Sequence, residues 1–181
     1  MEDLRELATL LARRNDIEAA ISALIRRPAT AGHIGEFIAA RIFNIRLEPS
    51  AAHKASDGYF IEGPLAGRCV DVKFYGRQEG LLAIQQRAQP DYFLVLTGPE
   101  VAPSSSRGGV RPALIEHVYL FSGQELGDSI RRRGVQFGVA ASIPKAEWHA
   151  AEIFPSQTNR ALALTAEQKD LLSLFSGKAG V

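Results

Sequence analysis

Apolar residues recur through the first 25 positions at helical spacing. Leu4, Leu7, Leu11, Ile17, Ile21 and Leu24 follow one another at steps of three or four, apart from one step of six, and that period predicts an amphipathic helix. The long step falls on Arg13-Arg14-Asn15-Asp16, so the pattern allows two helices, the second capped by Asp16, or one helix kinked there. Pro28 ends the segment. Thr30 can cap a further helix, AGHIGEFIAARIFN, with Ile34, Ile38 and Ile42 along one face. Its other side carries Glu36, Ala39, Ala40 and Phe43, so the helix is covered on more than one side. A glutamate among such neighbours needs a partner.

Beyond that helix the period shortens. Strand-like runs occupy 45–48, 57–62, 67–75, 92–97 (YFLVLT) and 117–122 (HVYLFS). The stretch TGPEVAPSSSRGGVRPA between the last two is rich in proline, glycine and serine, which predicts a mobile loop or a long hairpin tip. GQELGDSIRRRG reads as a short helix and VQFGVAASI as a strand. Pro144 suits the first turn of a helix PKAEWHAAEIF, and TAEQKDLLSLF reads as a final helix with Thr165 as cap and Glu167 near the capping-box position. No internal repeat is present. Helices, then strands, then helices predict an α/β (α+β) sandwich: a central mixed sheet flanked by helices, with an N-terminal helical extension.

The 181 residues, 46 % hydrophobic and 23 % charged, suffice for one globular domain with an ordinary core. The opening MEDLRELATLLARRND lacks a basic region followed by an apolar run, and no apolar stretch approaches a bilayer span, so neither a secretory signal nor a membrane anchor is expected. A single cysteine, Cys69, excludes an intramolecular disulfide framework and a multi-cysteine zinc site and fits a reducing cytosol. A cytoplasmic location is the expectation. The net charge of +1 gives no global footprint of a nucleic-acid binder, so such a function must rest on a local basic surface. Sixteen of the 21 basic residues are arginine, which suits bidentate phosphate contacts and equally fits a GC-rich codon bias.

Three charges interrupt the strand-like stretch SDGYFIEGPLAGRCVDVKFYG, residues 56–76: Asp57, Asp71 and Lys73, apart from the turn and edge positions Glu62 and Arg68. Side chains alternate along a strand, so Asp71 and Lys73 point one way, with Cα atoms roughly 7 Å apart, while Val70, Val72 and Phe74 point to the core. A hairpin turning at Gly63-Pro64-Leu65-Ala66 sets Asp57 opposite residue 71, 72 or 73, and two of those three registers bring it to the face of Asp71 and Lys73. Two carboxylates held together repel unless a cation sits between them. A hard divalent ion such as Mg²⁺ suits that oxygen set and leaves room for a phosphate oxygen and an activated water. Lys73 on the same face can hold that water or meet negative charge on a transition state. Metal-assisted hydrolysis of a phosphodiester is the chemistry implied.

Asp57, 13 intervening residues, then Asp71-Val72-Lys73, all preceded by Gly35-Glu36 on a helix, resembles the PD-(D/E)XK nuclease superfamily, and most of all its small bacterial members. The resemblance covers roughly residues 31–122. It implies a restriction-endonuclease-like domain over 29–181 with residues 1–28 as a helical extension, and catalytic roles for Glu36, Asp57, Asp71 and Lys73. It also implies Mg²⁺ or Mn²⁺ held by Asp57, Asp71, Glu36 and the backbone carbonyl of Val72, and DNA as substrate, with RNA not excluded. Asp57 departs from the pattern in following Ser56 rather than a proline. The literal Pro90-Asp91 is followed by no acid-x-lysine and reads as a turn, and no glutamine-x-x-x-tyrosine follows at Gln85, Gln86 or Gln89. The implied activity is Mg²⁺-dependent endonuclease cleavage of DNA in restriction, defence or repair. Double-strand cutting would need a homodimer, for which the N-terminal helices are the candidate interface. The alternative is a catalytically silent domain of the same fold that binds nucleic acid or a partner protein.

Other residues carry weaker signals. His33 with Glu36, and His149 with Glu152, have the spacing of metal ligands on a helix, but nothing supplies the third ligand zinc needs. His53 and His117 read as surface or strand-edge residues. Cys69 alternates onto the face of Asp71 without an evident base. Tyr75, Arg77 and Gln85 can touch a phosphate backbone or lie in a solvated loop. Arg131-Arg132-Arg133 suits a helix C-terminus by its charge alone.

Overall fold

The computed structural model describes residues 1–49, 56–84, 90–102 and 111–177. The segments 50–55, 85–89 and 103–110 lie outside the described residues, and with them fall His53, Gln85 and most of the Pro/Gly/Ser-rich stretch between 97 and 113. The chain forms a mixed α/β structure, as its pattern predicts. No helix among the described residues is long and apolar enough to cross a membrane.

The first element, α1 (Glu2–Ile25), is one continuous helix rather than two. Arg13-Arg14-Asn15-Asp16 contains no helix breaker, and Arg14 bridges to Glu18 one turn on at 2.7 Å, an i,i+4 pair that favours continuity. Arg26, in the left-handed conformation at φ 57°, turns the chain out of the helix just before Pro28. Helix α2 (Ala31–Ile42) then starts at Thr30, whose side chain accepts the His33 N–H.

Six strands make the main sheet in the order β1 (Ile45–Leu47), β2 (Gly58–Phe60), β3 (Cys69–Tyr75), β5 (Tyr92–Thr97), β6 (His117–Ser122) and β8 (Glu152–Phe154). All neighbours are antiparallel except β3 and β5, which run parallel with Asp71 beside Phe93 and Lys73 beside Val95. The turn between β2 and β3 is a short 3₁₀ segment at Gly63–Leu65. A second, two-stranded sheet pairs β4 (Leu81–Ile84) with β7 (Gly138–Ser142).

Both faces of the main sheet are covered. Val70, Val72, Leu94, Leu96, Val118 and Leu120 meet Ile38, Ala39 and Ile42 of α2, together with Leu172 of α5 (Ala166–Ser173). Phe93, Val95, Tyr119 and Phe121 meet α3 (Gly123–Arg132), the small sheet and Trp148 of α4 (Lys145–Ala151). The face of Asp71 and Lys73 is therefore not an open polar surface. It is a second core over β5 and β6 that gives way to charged groups at β3, with Asp71 and Lys73, and at the far edge, where His117 meets Glu152.

Several details differ from the sequence pattern: the strands β2, β3 and β7 are shorter than their runs, and Leu81–Ile84 is a strand the pattern does not mark. The helix begun at Pro144 stops at Ala151, and Glu152-Ile153-Phe154 runs as an edge strand beside β6. Pro155 disfavours a helical Phe154, and fully buried Ile153 contributes to the core. The capping box of α5 uses Gln168, which reaches back to the Thr165 N–H, rather than Glu167.

Candidate metal-dependent active site

Strand β3 supplies the centre of the site. Its alternation sends Val70 and Val72 into the core beneath α2 and leaves Asp71 and Lys73 on the opposite face, half-buried, with side-chain exposures of 14 % and 25 %. Lys73 Nζ lies 2.5 Å from Asp71 Oδ1. That oxygen is shut off from solvent, and the Lys73 ammonium is the group set against it.

The β2–β3 hairpin brings up the second carboxylate. Gly58 stands across from Val70, and the Asp57 N–H donates to the Val70 carbonyl at 2.9 Å, which sets Asp57 level with Asp71 in one of the registers that share a face. The Val72 N–H donates to Asp57 Oδ2 at 2.7 Å. A strand residue's N–H and C=O point the same way, so the Val72 carbonyl faces the Asp57 side, where it is placed to serve as a ligand.

Glu36 arrives from α2. Gly35 lets that helix approach β3 closely: a Cβ built there would lie 2.5 Å from Phe74 Cβ. Glu36 is largely buried and its carboxylate is bound by the Arg27 guanidinium, the partner its apolar neighbourhood demands. Arg27, from the turn between α1 and α2, was not evident in the sequence as part of the site. The pair Arg26-Arg27 ahead of Pro28 is the one trace it leaves there.

The electrostatics tie the four groups together. Burial pushes the Asp71 carboxyl up to about 6. Lys73 opposes that shift, while the negative charges of Asp57 and Glu36 reinforce it, so both acids act on Asp71. Burial alone would lower Lys73, but the charge of Asp71, with Asp57 and Tyr75 adding, holds its ammonium above the ordinary lysine value. Lys73 thus stays a cation at neutral pH, and Asp71 titrates above an ordinary aspartate.

The donor set is hard oxygen, of the kind Mg²⁺ takes. The four side chains are nonetheless engaged with protein partners: Asp71 with Lys73, Asp57 with the Val72 amide, Glu36 with Arg27. Among the described residues, no three histidine, cysteine or acidic side chains are gathered as a metal cluster. A cation would have to draw Glu36 and Asp71 from their present partners. Asp71 Oδ1, buried against a single ammonium, is the atom with most to gain from a divalent ion.

The remaining candidates have protein partners of their own or lie partly buried. The Tyr75 hydroxyl accepts the Ala83 N–H at 3.0 Å and so ties β3 to β4. Burial raises the Cys69 thiol above its ordinary value, the reverse of what a nucleophile needs. Asp91 does more than shape a turn: it accepts the Cys69 N–H at 2.8 Å and contacts Arg68, locking the starts of β3 and β5 together. His33 rests on the Pro28 carbonyl, and Glu152 pairs with His117 at 2.7 Å rather than with His149. In the arginine triplet, Arg131 pairs with Asp128 and Arg133 binds the Ser142 carbonyl. Arg77 is half-buried. No protein-family model matches the sequence and no curated protein matches it, which leaves the side chains themselves as the ground for assigning a function.

Proposed function

We propose that this chain is a divalent-cation-dependent nuclease of the PD-(D/E)XK type that hydrolyses phosphodiester bonds in DNA. The observation that carries this reading is the half-buried Asp71–Lys73 pair at 2.5 Å, with the Asp57 carboxylate docked on the amide of the residue between them. Asp57, Asp71 and the Val72 carbonyl would hold Mg²⁺ or Mn²⁺, with Glu36 as a further ligand or as the group that orients them. When bound, the ion would draw the carboxylates together, neutralise them and supply positive charge to a phosphate oxygen. Lys73 would orient water for attack and face the charge that develops on the phosphate. The partial burial of Asp71 and Lys73 strengthens both effects.

A second reading has an observation of its own. Arg27 and Lys73 already neutralise two of the three acids, as they would in a catalytically silent domain that binds nucleic acid or a partner protein. Supercoiled plasmid incubated with the chain and Mg²⁺, beside Asp71→Ala and Lys73→Ala variants whose folding is checked by circular dichroism, decides between the two. Cleavage by the wild type that either folded variant abolishes supports the nuclease. Cleavage that survives both changes rejects the assignment, and binding without cleavage by the wild type favours the silent domain.

A further inference from the structure

Helix α1 buries none of its 24 residues. Leu4 is 61 % exposed and Ile17 61 %, with Leu7, Leu10, Leu11 and Leu24 also open to solvent. A helix about 36 Å long with an unburied apolar stripe gains little from its own chain. Leu4, Leu7, Leu11, Arg14, Glu18, Ile21 and Ile25 alternate at steps of three and four, the seam of a two-stranded coiled coil. Leu10, Ile17 and Leu24 widen that seam on one side. Its second half opens into an apolar groove of about 420 Å³, walled by Ile21, Leu24 and Ile25, by Phe37 of α2, and by Leu171 and Leu174 at the end of α5.

The charges in this seam bridge one another along the helix, Arg14 to Glu18 at 2.7 Å, and both stay open to a facing pair of the same kind. Arg14 and Glu18 occupy its middle. In an antiparallel pair of α1 helices with the two-fold axis level with Asp16, Leu7 faces Ile25 of the second copy, Leu11 faces Ile21, and Arg14 faces Glu18. Ile17 then meets Ile17 beside the axis. A shift by one heptad in one direction sets Leu7 against Glu18 and Leu11 against Arg14; a shift in the other sets Ile21 against Glu18. A parallel, in-register pair sets Arg14 against Arg14, Glu18 against Glu18, and the acidic starts Glu2, Asp3 and Glu6 against each other. Of these arrangements only the first matches apolar with apolar and acid with base from Leu7 to Ile25, and it lays the acidic start of each helix beside the basic Arg26-Arg27 end of the other.

We propose that α1 is a self-association element through which two copies of this chain pair antiparallel, each lodging Leu7 and Leu11 in the groove beside Ile21, Ile25 and Phe37 of the other. The proposal does not depend on the site in β3 being catalytic.

Sedimentation of the full chain up to about 100 µM, a concentration that saturates a micromolar association, should show a closed dimer. Leu7→Glu with Leu11→Glu should give a monomer whose circular dichroism still reports the folded α/β body. Arg14→Glu alone and Glu18→Arg alone should each weaken the dimer at least tenfold, and mixing those two chains should restore it. In a Cys69→Ser background, Ile17→Cys should form a disulfide-linked dimer under mild oxidation and Leu7→Cys should not. A wild-type monomer at the highest concentration, an open-ended aggregate, or equal cross-linking at positions 7 and 17 would overturn the proposal.

Discussion

The Asp57 carboxylate accepts the backbone N–H of Val72 at 2.7 Å. Through that bond a side chain from the start of one strand is held at the amide between Asp71 and Lys73 on the next. The bond fixes where the charge of Asp57 falls and needs only an oxygen acceptor to form. Structure and charge can therefore be separated at this position. Asp57→Asn should keep the bond and stay close to wild-type stability, while losing divalent-ion affinity and lowering the Asp71 pKa by removing a neighbouring negative charge. Asp57→Ala strands a part-buried N–H and should cost about 1–3 kcal/mol. Urea denaturation of both variants, with carboxyl NMR titration of the Asn variant, checks the contrast. Equal stability of the two would contradict it.

Asp71 and Lys73 depend on each other. Lys73→Ala leaves Asp71 Oδ1, shut off from water, without its cation, and should destabilise the chain by about 2–4 kcal/mol at neutral pH. Removing both should cost less than the sum of the single changes, with a coupling of about 1–3 kcal/mol. A double-mutant cycle by chemical denaturation measures this, and strict additivity would show that the pair is not coupled.

Protonation of Asp71 gives a pH signature of definite sign. The folded chain holds this proton up to about pH 6, against an ordinary value of 3.8. Its contribution to stability is thus complete below pH 3.8 and lost as the pH rises through 6. The difference amounts to roughly 3 kcal/mol. Lys73 is raised from 10.5, so its contribution persists across the acid and neutral range and fades only above that value. Measured against Asp71→Asn, which does not titrate, the wild type should gain stability as pH falls from 7 to 4. A flat difference across that interval would contradict the burial of this carboxylate.

Contact between Gly35 and Phe74 sets how close Glu36 stands to β3. A methyl group at position 35 would meet Phe74 Cβ at 2.5 Å, so Gly35→Ala must push α2 away from the strand or displace the ring, at about 1–3 kcal/mol. Gly32→Ala, whose Cβ would come no nearer than 4.0 Å to Glu36 Oε1, should be neutral or stabilising by up to about 1 kcal/mol. Thermal melts of the two variants check this. Equal melting temperatures would argue against close packing of α2 on β3.

What the sequence discloses of this molecule follows from which forces act locally. Strands 92–97 and 117–122 are legible to the residue because both are short, apolar and bounded by turn residues, and the Thr30 cap is legible because it acts within one turn. The convergence of Asp57 with Asp71 follows from a hairpin of fixed length and strand alternation. Long-range pairing is not visible in the same way. Leu81–Ile84 is four apolar residues with no alternation, and only its partner 138–142 makes it a strand. Glu152–Phe154 leaves its helix because an edge of β6 is there to receive it. Arg27 joins the site by bridging from the α1–α2 turn to Glu36, nine residues on, a contact that no local period encodes. The covered second face of the sheet is likewise a property of α3, α4 and the small sheet together.

Binding of a divalent ion by the wild-type chain and by Asp71→Asn tests the central claim most directly. Mn²⁺ titration followed by electron paramagnetic resonance should show saturable binding to the wild type, accompanied by a rise in melting temperature. At one hundred times the dissociation constant the stabilisation is about 2.7 kcal/mol. Both effects should be lost in Asp71→Asn. If the wild type takes up no Mn²⁺, or if the variant binds it equally well, Asp71 and its neighbouring acids do not form a metal centre.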